Sequence, residues 1–300
     1  MRIVSLLPSA TEILFAIGAG DEVAGVTHEC DYPPQAKRLP RLTASAGPEL
    51  RDPAAIDRHV RSAVHAGSSL YHLDSALLET LAPDLIVTQE LCEVCAVSYD
   101  IVQRAARQLR SRDPQRRGGT RIVSLEPASL DDVFATISFL GDATDHAPEA
   151  EALLRSLRAR VAALERETSR RTQRPRTLTL EWTDPPMSAG HWIPGLVELA
   201  GGEPILGNPG ANSQRLEWPA IARAQPEAVV VSPCGFDLDA TRGAIAALDA
   251  VVQWRELDVQ RTGRILAMDG NAYLSRPGPR LVDAAEILAR WYTTVAEYAG

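Results

Sequence analysis

Short apolar runs rich in β-branched residues alternate with longer stretches of helical period, the pattern of βα units around a mostly parallel sheet. In the first half the runs fall at Ile3–Leu6, Val23–Thr27, Asp84–Thr88 and Arg121–Leu125. In the second they fall at Thr177–Glu181, Ala228–Ser232 and Arg264–Met268, with a weaker one at Pro204–Leu206. Helix starts follow the runs: Ser9-Ala10-Thr11-Glu12 reads as a capping box after the first, and Ser129-Leu130-Asp131-Asp132 resembles one after the fourth.

From Pro148 to about Arg171, Leu153, Leu154, Leu157, Val161 and Leu164 keep a single helical period. A helix of that span is roughly 36 Å long, enough to cross a domain. Arg170 and Arg171 suit its negative carboxyl end, and Pro175 opposes continuation. The fold expected is therefore α/β: two Rossmann-like lobes with mostly parallel sheets, residues 1–145 and 173–300, joined by a helix over 146–172. The halves also echo each other. Pro83-Asp84-Leu85-Ile86-Val87-Thr88 parallels Pro226-Glu227-Ala228-Val229-Val230-Val231-Ser232, each followed by a cysteine, Cys92 or Cys234. Gly18-Ala19-Gly20-Asp21-Glu22 parallels Ala200-Gly201-Gly202-Glu203-Pro204.

Composition narrows the function. A hydrophobic content of 45% with 23% charged residues is that of a globular protein. A net charge of -8 argues against general nucleic-acid binding. Lys37 is the only lysine, so chemistry needing a separate Schiff-base lysine is disfavoured. No apolar run approaches the roughly 20 residues of a membrane span. The first strand opens at residue 2 or 3, which leaves no room for a signal peptide; the chain as it stands reads as cytoplasmic, and as periplasmic or extracellular if an upstream segment was removed. P-loop, HExxH and GxSxG motifs are absent, and Gly18-Ala19-Gly20 follows a helix instead of a strand, unlike a dinucleotide fingerprint.

Open parallel sheets bind ligands at the carboxyl ends of their strands, and the chemically distinctive residues collect there. The first lobe supplies Pro8, Ser9, His28, Glu29, Gln89 and Glu126; the second supplies Trp182, His191, Trp192, Cys234 and Tyr273. If the lobes face one another, these loops line one cleft, and these eleven residues are the expected ligand contacts. Each also has a structural reading: Ser9 as a helix cap, Glu126 as a solvated carboxylate, Cys234 as a small buried hydrophobe. His59, His65 and His72 lie outside the strand ends and read as surface or core histidines, and the Arg-rich stretch from Arg110 to Arg121 as a solvated loop.

Cys92 and Cys95 form a CxxC ahead of Ser98, a plausible helix cap, and thiols at a helix amino end become better ligands and nucleophiles. With Cys30 and His28 on the neighbouring loop they form a candidate soft-metal set for zinc or an iron–sulfur cluster. A reversible disulfide and plain structural thiols are the competing readings.

The opening Arg2-Ile3-Val4-Ser5-Leu6-Leu7-Pro8-Ser9-Ala10-Thr11-Glu12, the segment Leu81-Ala82-Pro83-Asp84-Leu85-Ile86-Val87-Thr88-Gln89 and the closing Gly263-Arg264-Ile265-Leu266-Ala267-Met268 with Arg276-Pro277-Gly278-Pro279-Arg280 resemble the substrate-binding proteins of ABC importers for vitamin B12, haem and siderophores. His28-Glu29-Cys30-Asp31-Tyr32-Pro33 and Leu91-Cys92-Glu93-Val94-Cys95 look like a subgroup labelled cobalamin-binding. The resemblance implies the class III periplasmic-binding-protein fold, with a rigid helix between lobes, limited hinge closure and a shallow cleft for a flat chelate. It implies a binding protein for a corrinoid, haem or siderophore ligand, not an enzyme, partnered by an ABC permease if exported. The alternative is a cytoplasmic metal- or Fe–S-binding protein, or a metalloenzyme, built on the Cys/His loops.

Overall fold

The computed structural model describes residues 1–48, 50–66, 68–89, 101–105 and 119–297. All eight expected strands are present. The first sheet contains β1 (Ile3–Ser5), β2 (Val23–Val26), β3 (Leu85–Thr88) and β4 (Arg121–Ser124). The second contains β5 (Arg176–Thr183), β6 (Glu203–Ile205), β7 (Ala228–Val231) and β8 (Ile265–Ala267). Their spatial orders are β2-β1-β3-β4 and β6-β5-β7-β8, the same topology twice, and every pairing along both paths is parallel. In the first, Ile3 and Val4 lie opposite Leu85 and Ile86; in the second, Leu178 and Leu180 lie opposite Val229 and Val231.

Central strands of such sheets are covered on both faces, which is why they carry near-continuous apolar runs. One face of the second sheet packs Leu178, Leu180, Val229 and Val231 with Ile221 and the fully buried Trp254. The other packs Ala228 and Val230 against Ile193, Leu196, Leu281, Leu288 and Tyr292. In the first sheet Val4, Leu6 and Ile86 pack with Leu42, Leu78 and Val102. Burying side chains of this size contributes about 1.5–3 kcal/mol each.

The echoing segments do the same local work. Helices Ser75–Leu81 and Trp218–Ala224 end on residues in the left-handed region, Ala82 (φ 44°) and Gln225 (φ 47°), and Pro83 and Pro226 then prevent continuation. The chain divides into two compact units. The first comprises Met1–Glu49, Arg58–Glu126 and Ala135–Leu154; the second comprises Leu50–Asp57, Pro127–Phe134 and Arg155–Gly300. The long helix runs Ala147–Thr168, three residues short of the expected Arg171, and passes from the first unit into the second at Leu154/Arg155. In the second unit its Arg160 donates to Glu286 at 2.8 Å and also to Asp283, tying it to the closing helix Leu281–Glu297. That guanidinium holds the Glu286 carboxyl below its ordinary value.

One helix start differs from expectation. The first helix, Pro8–Ala16, begins at Pro8 after an extended Leu7, with no side chain capping it; Ser9 lies inside the first turn and is buried. Proline at the first helical position needs no cap for its missing N–H, and this overrides the Ser–Glu pattern. The second capping box is present: the Asp132 N–H donates to Ser129 Oγ at 3.1 Å, and the Ser129 hydroxyl donates to Asp132 Oδ2 at 2.8 Å. That hydroxyl, with the Ala128 N–H, lowers the Asp132 pKa. The short pairs Thr43–Ser45 with Tyr71–Leu73, and Gly190–His191 with Asn208–Pro209, were not expected.

Candidate functional site

In the first unit, the loops after β1 and β2 are fastened through Thr11. Its hydroxyl donates to Ser5 Oγ at 2.8 Å and lies 3.1 Å from Cys30 Sγ. Thr27 Oγ1 approaches the same sulfur at 3.2 Å, and Cys30 is buried, 1% exposed. Pro8 and Ser9 therefore share one end of the sheet with His28, Glu29 and Cys30. The His28 ring is held on two sides, with Nδ1 2.7 Å from Thr43 Oγ1 and Nε2 3.3 Å from Glu29 Oε1. Tyr71 packs against it, ring centroids 5.6 Å apart, and Arg41 donates to its carbonyl at 2.9 Å. After β3, Gln89 is half-buried. After β4, the exposed Glu126 accepts the Ser124 hydroxyl at 2.8 Å, and Leu125 N–H donates to Thr88 O.

Cys92, Cys95 and Ser98 lie outside the described residues. Among those described, no group of three His, Cys, Asp or Glu side chains is placed to hold a metal ion. The Cys30 thiol is engaged by two threonine hydroxyls and His28 Nδ1 by a third, which is a structural setting for both.

In the second unit the loop after β7 is the hub. Cys234 N–H donates to Glu181 O at 3.2 Å, and Gly270 N–H donates to Phe236 O at 3.0 Å, so the ends of β5, β7 and β8 are knitted together. Cys234 is exposed, contrary to its reading as a buried hydrophobe. Trp182 stands edge-on to Phe236, centroids 5.3 Å apart, and its Nε1–H donates to Asp184 O at 3.0 Å. Trp192 stacks beside His191 at 5.5 Å and donates to Leu274 O at 2.8 Å. Tyr273 follows Asp269, whose carboxylate caps the turn Gly270–Leu274 by accepting Ala272 N–H at 2.8 Å. The five expected residues of this unit thus form two aromatic groups, Trp182 with Phe236 near Cys234, and His191 with Trp192 near Tyr273. Half-buried aromatic rings with anchored N–H groups offer flat apolar faces of fixed orientation.

Sequence reasoning passed over Glu181. Its carboxylate end is buried, although the residue as a whole keeps some exposure. Oε2 accepts the Gly190 N–H at 3.1 Å and a short bond from the Ser213 hydroxyl. Burial raises its pKa, and the two donors oppose that rise. The signal was a lone acid ending an apolar strand. Tyr71, the partner of His28, was also passed over.

No helix among the described residues is long and apolar enough to cross a membrane. A vitamin B12-binding protein of Yersinia pestis is 26% identical over 245 residues, covering 79% of this chain and 71% of that one. The periplasmic vitamin B12 binding protein of Vibrio cholerae has a similar structure, with TM-score 0.69, 23% identity, and coverage of 98% of this chain and 97% of that chain. A periplasmic heme-binding protein from Roseiflexus sp. RS-1 matches at TM-score 0.69 with 22% identity, covering 98% of each chain. These likenesses establish the class III binding-protein fold. The model of the periplasmic binding protein family matches residues 3–271, nearly the whole length, and this chain belongs to that family.

Proposed function

We propose that this chain binds a corrinoid or a related metal chelate of the haem or siderophore class at the strand ends, and delivers it to an ABC-importer permease outside the cytoplasm. The observation that carries this reading is the match over most of both chains to relatives named for vitamin B12 binding. The chemistry agrees with it. Trp182, Trp192 and Tyr273 supply the flat apolar surface that a macrocycle needs, with the buried Phe236 backing Trp182, and His28, Glu29, Gln89 and Glu126 are polar groups at the strand ends of the first unit. The metal-protein alternative is not favoured by the relatives reported above, which are named for binding vitamin B12 or heme.

The test is calorimetric and fluorescence titration of the purified chain with dicyanocobinamide, cyanocobalamin and haemin. At least one should quench tryptophan emission with a dissociation constant of about 1 μM or tighter, on the order of -8 kcal/mol. Absence of heat and quenching with all three, and with a ferric siderophore titrated in the same way, would reject the ligand class.

A further inference from the structure

Glu181 stands near the end of its strand as a carboxylate buried among apolar neighbours. Both bonds that hold its buried carboxylate end on Oε2, which leaves Oε1 as an acceptor. The end of β7 runs beside it: Ser232 N–H donates to Leu180 O at 3.0 Å and Cys234 N–H to Glu181 O at 3.2 Å. Side chains alternate along these strands, and residues paired in parallel register share a face. Leu180 and Val231 are such a pair and enter one core cluster, while Ala228 and Val230 enter the other. The bond from Ser232 N–H to Leu180 O sets Ser232 opposite Glu181, at the point where the β5 edge bulges between Leu180 and Trp182. Trp192 and Tyr273 pack against the cluster that holds Ala228 and Val230. The Glu181 carboxylate accepts the N–H of Gly190, which follows Ala189 of that cluster. Ser232 is fully buried, and its hydroxyl has no hydrogen-bond partner. Buried polar groups in folded proteins are normally paired, so an orphan at a strand end points to a missing partner.

A carboxylate acceptor beside a hydroxyl donor complements a primary carboxamide, whose NH₂ donates to Glu181 Oε1 while its C=O accepts from Ser232. A ligand carboxylate at the same place sets like charge against Glu181 in a poorly solvated site. We infer that Glu181 and Ser232 form a carboxamide-recognising subsite, which selects amide-bearing corrinoids over tetrapyrroles that carry carboxylates. This rests on the proposed ligand class and narrows it.

Two ligands on one ring system isolate the effect: dicyanocobinamide, with amide side chains, and dicyanocobyrinic acid, with carboxylates in their place. Wild type should bind the cobinamide at least about tenfold more tightly, and Glu181→Gln should remove most of that ratio by gaining affinity for the acid. Ser232→Ala should raise the thermal midpoint of the ligand-free protein yet weaken cobinamide binding severalfold, opposite signs that a purely structural hydroxyl does not produce. Equal affinities in wild type, an unchanged ratio in Glu181→Gln, or unchanged cobinamide affinity in Ser232→Ala would each overturn the subsite. Binding of both corrins with equal affinity leaves the ligand class standing; binding of neither removes the corrinoid assignment and the subsite together.

Discussion

The Glu227 carboxylate accepts the backbone N–H of Arg176 at 2.9 Å, while the Glu227 N–H donates to Arg176 O at 2.8 Å. Asp84 and Arg2 make the same reciprocal pair in the first sheet, both bonds at 2.8 Å. In each sheet the acid after a proline closes the open N–H at the start of the neighbouring central strand. Parallel strands leave such groups bare at their amino ends, and an ionised acceptor is the strong way to satisfy one. Asp84→Ala and Glu227→Ala should each cost about 1 kcal/mol, a modest value because both bonds are solvent-exposed. Urea unfolding of the two variants checks this; a loss at one site without the other would show that the repeated motif is not mechanically equivalent.

The Glu181 carboxylate carries the opposite stability sign from most surface acids. Burial raises its pKa above 4.5, its ordinary value, so the folded state holds the proton more tightly than the unfolded chain does. Its contribution is fully present below pH 4.5 and is lost as the pH rises through the folded-state value. Glu181→Gln keeps an oxygen to accept Ser213 and Gly190 but cannot ionise. The variant should therefore gain on wild type as pH rises from about 4.5 to neutrality, and be at least as stable at pH 7. Denaturation of both proteins across that range measures the difference. A pH-independent gap would mean that the carboxylate is well solvated in the folded protein.

What was legible in the sequence follows from the range of the forces involved. Ile3-Val4, Ile86-Val87 and Val229-Val230-Val231 announce buried parallel strands because burial on both faces leaves no polar alternation. Pro83-Asp84 and Pro226-Glu227 repeat because both sheets start their central strand in one way. The Glu181 clasp was not legible, since Ser213 lies 32 residues away and neither residue carries a local pattern. Ser9 misled for a local reason: a Ser–Glu spacing looks like a capping box unless Pro8 is weighed as the first helical residue. The pairs Thr43–Ser45 with Tyr71–Leu73 and Gly190–His191 with Asn208–Pro209 are too short to show a period.

The two described cysteines should differ sharply in reactivity. Cys234 is exposed after β7, whereas Cys30 is buried between the hydroxyls of Thr11 and Thr27. Access governs attack by a disulfide reagent, and Cys30 is 1% exposed. In a Cys92→Ser/Cys95→Ser background, Ellman's reagent should modify Cys234 within minutes under native conditions and reach Cys30 only on unfolding. Two fast thiols in that background would place Cys30 within reach of solvent.

Gly190 and Gly195 lie five residues apart and should respond to alanine in opposite directions. A Cβ at Gly190 would sit 2.3 Å from Ala211 O and 2.7 Å from Ser213 N, backbone atoms that no rotamer change can withdraw. The 211–213 segment must move away, and it carries the Ser213 hydroxyl that holds Glu181. Gly190→Ala should cost about 1–3 kcal/mol, as overpacking does. At Gly195, within the helix Ile193–Leu199, a Cβ meets nothing within 4 Å, and alanine should stabilise by about 0.5 kcal/mol through helix propensity. The diagnostic measurement is corrin affinity beside stability. If the clasp positions Glu181 for a ligand amide, Gly190→Ala should lose preference for cobinamide over cobyrinic acid even at temperatures where it is fully folded, and Gly195→Ala should keep it. A Gly190→Ala protein that is destabilised but retains the full preference would confine the clasp to holding the fold together.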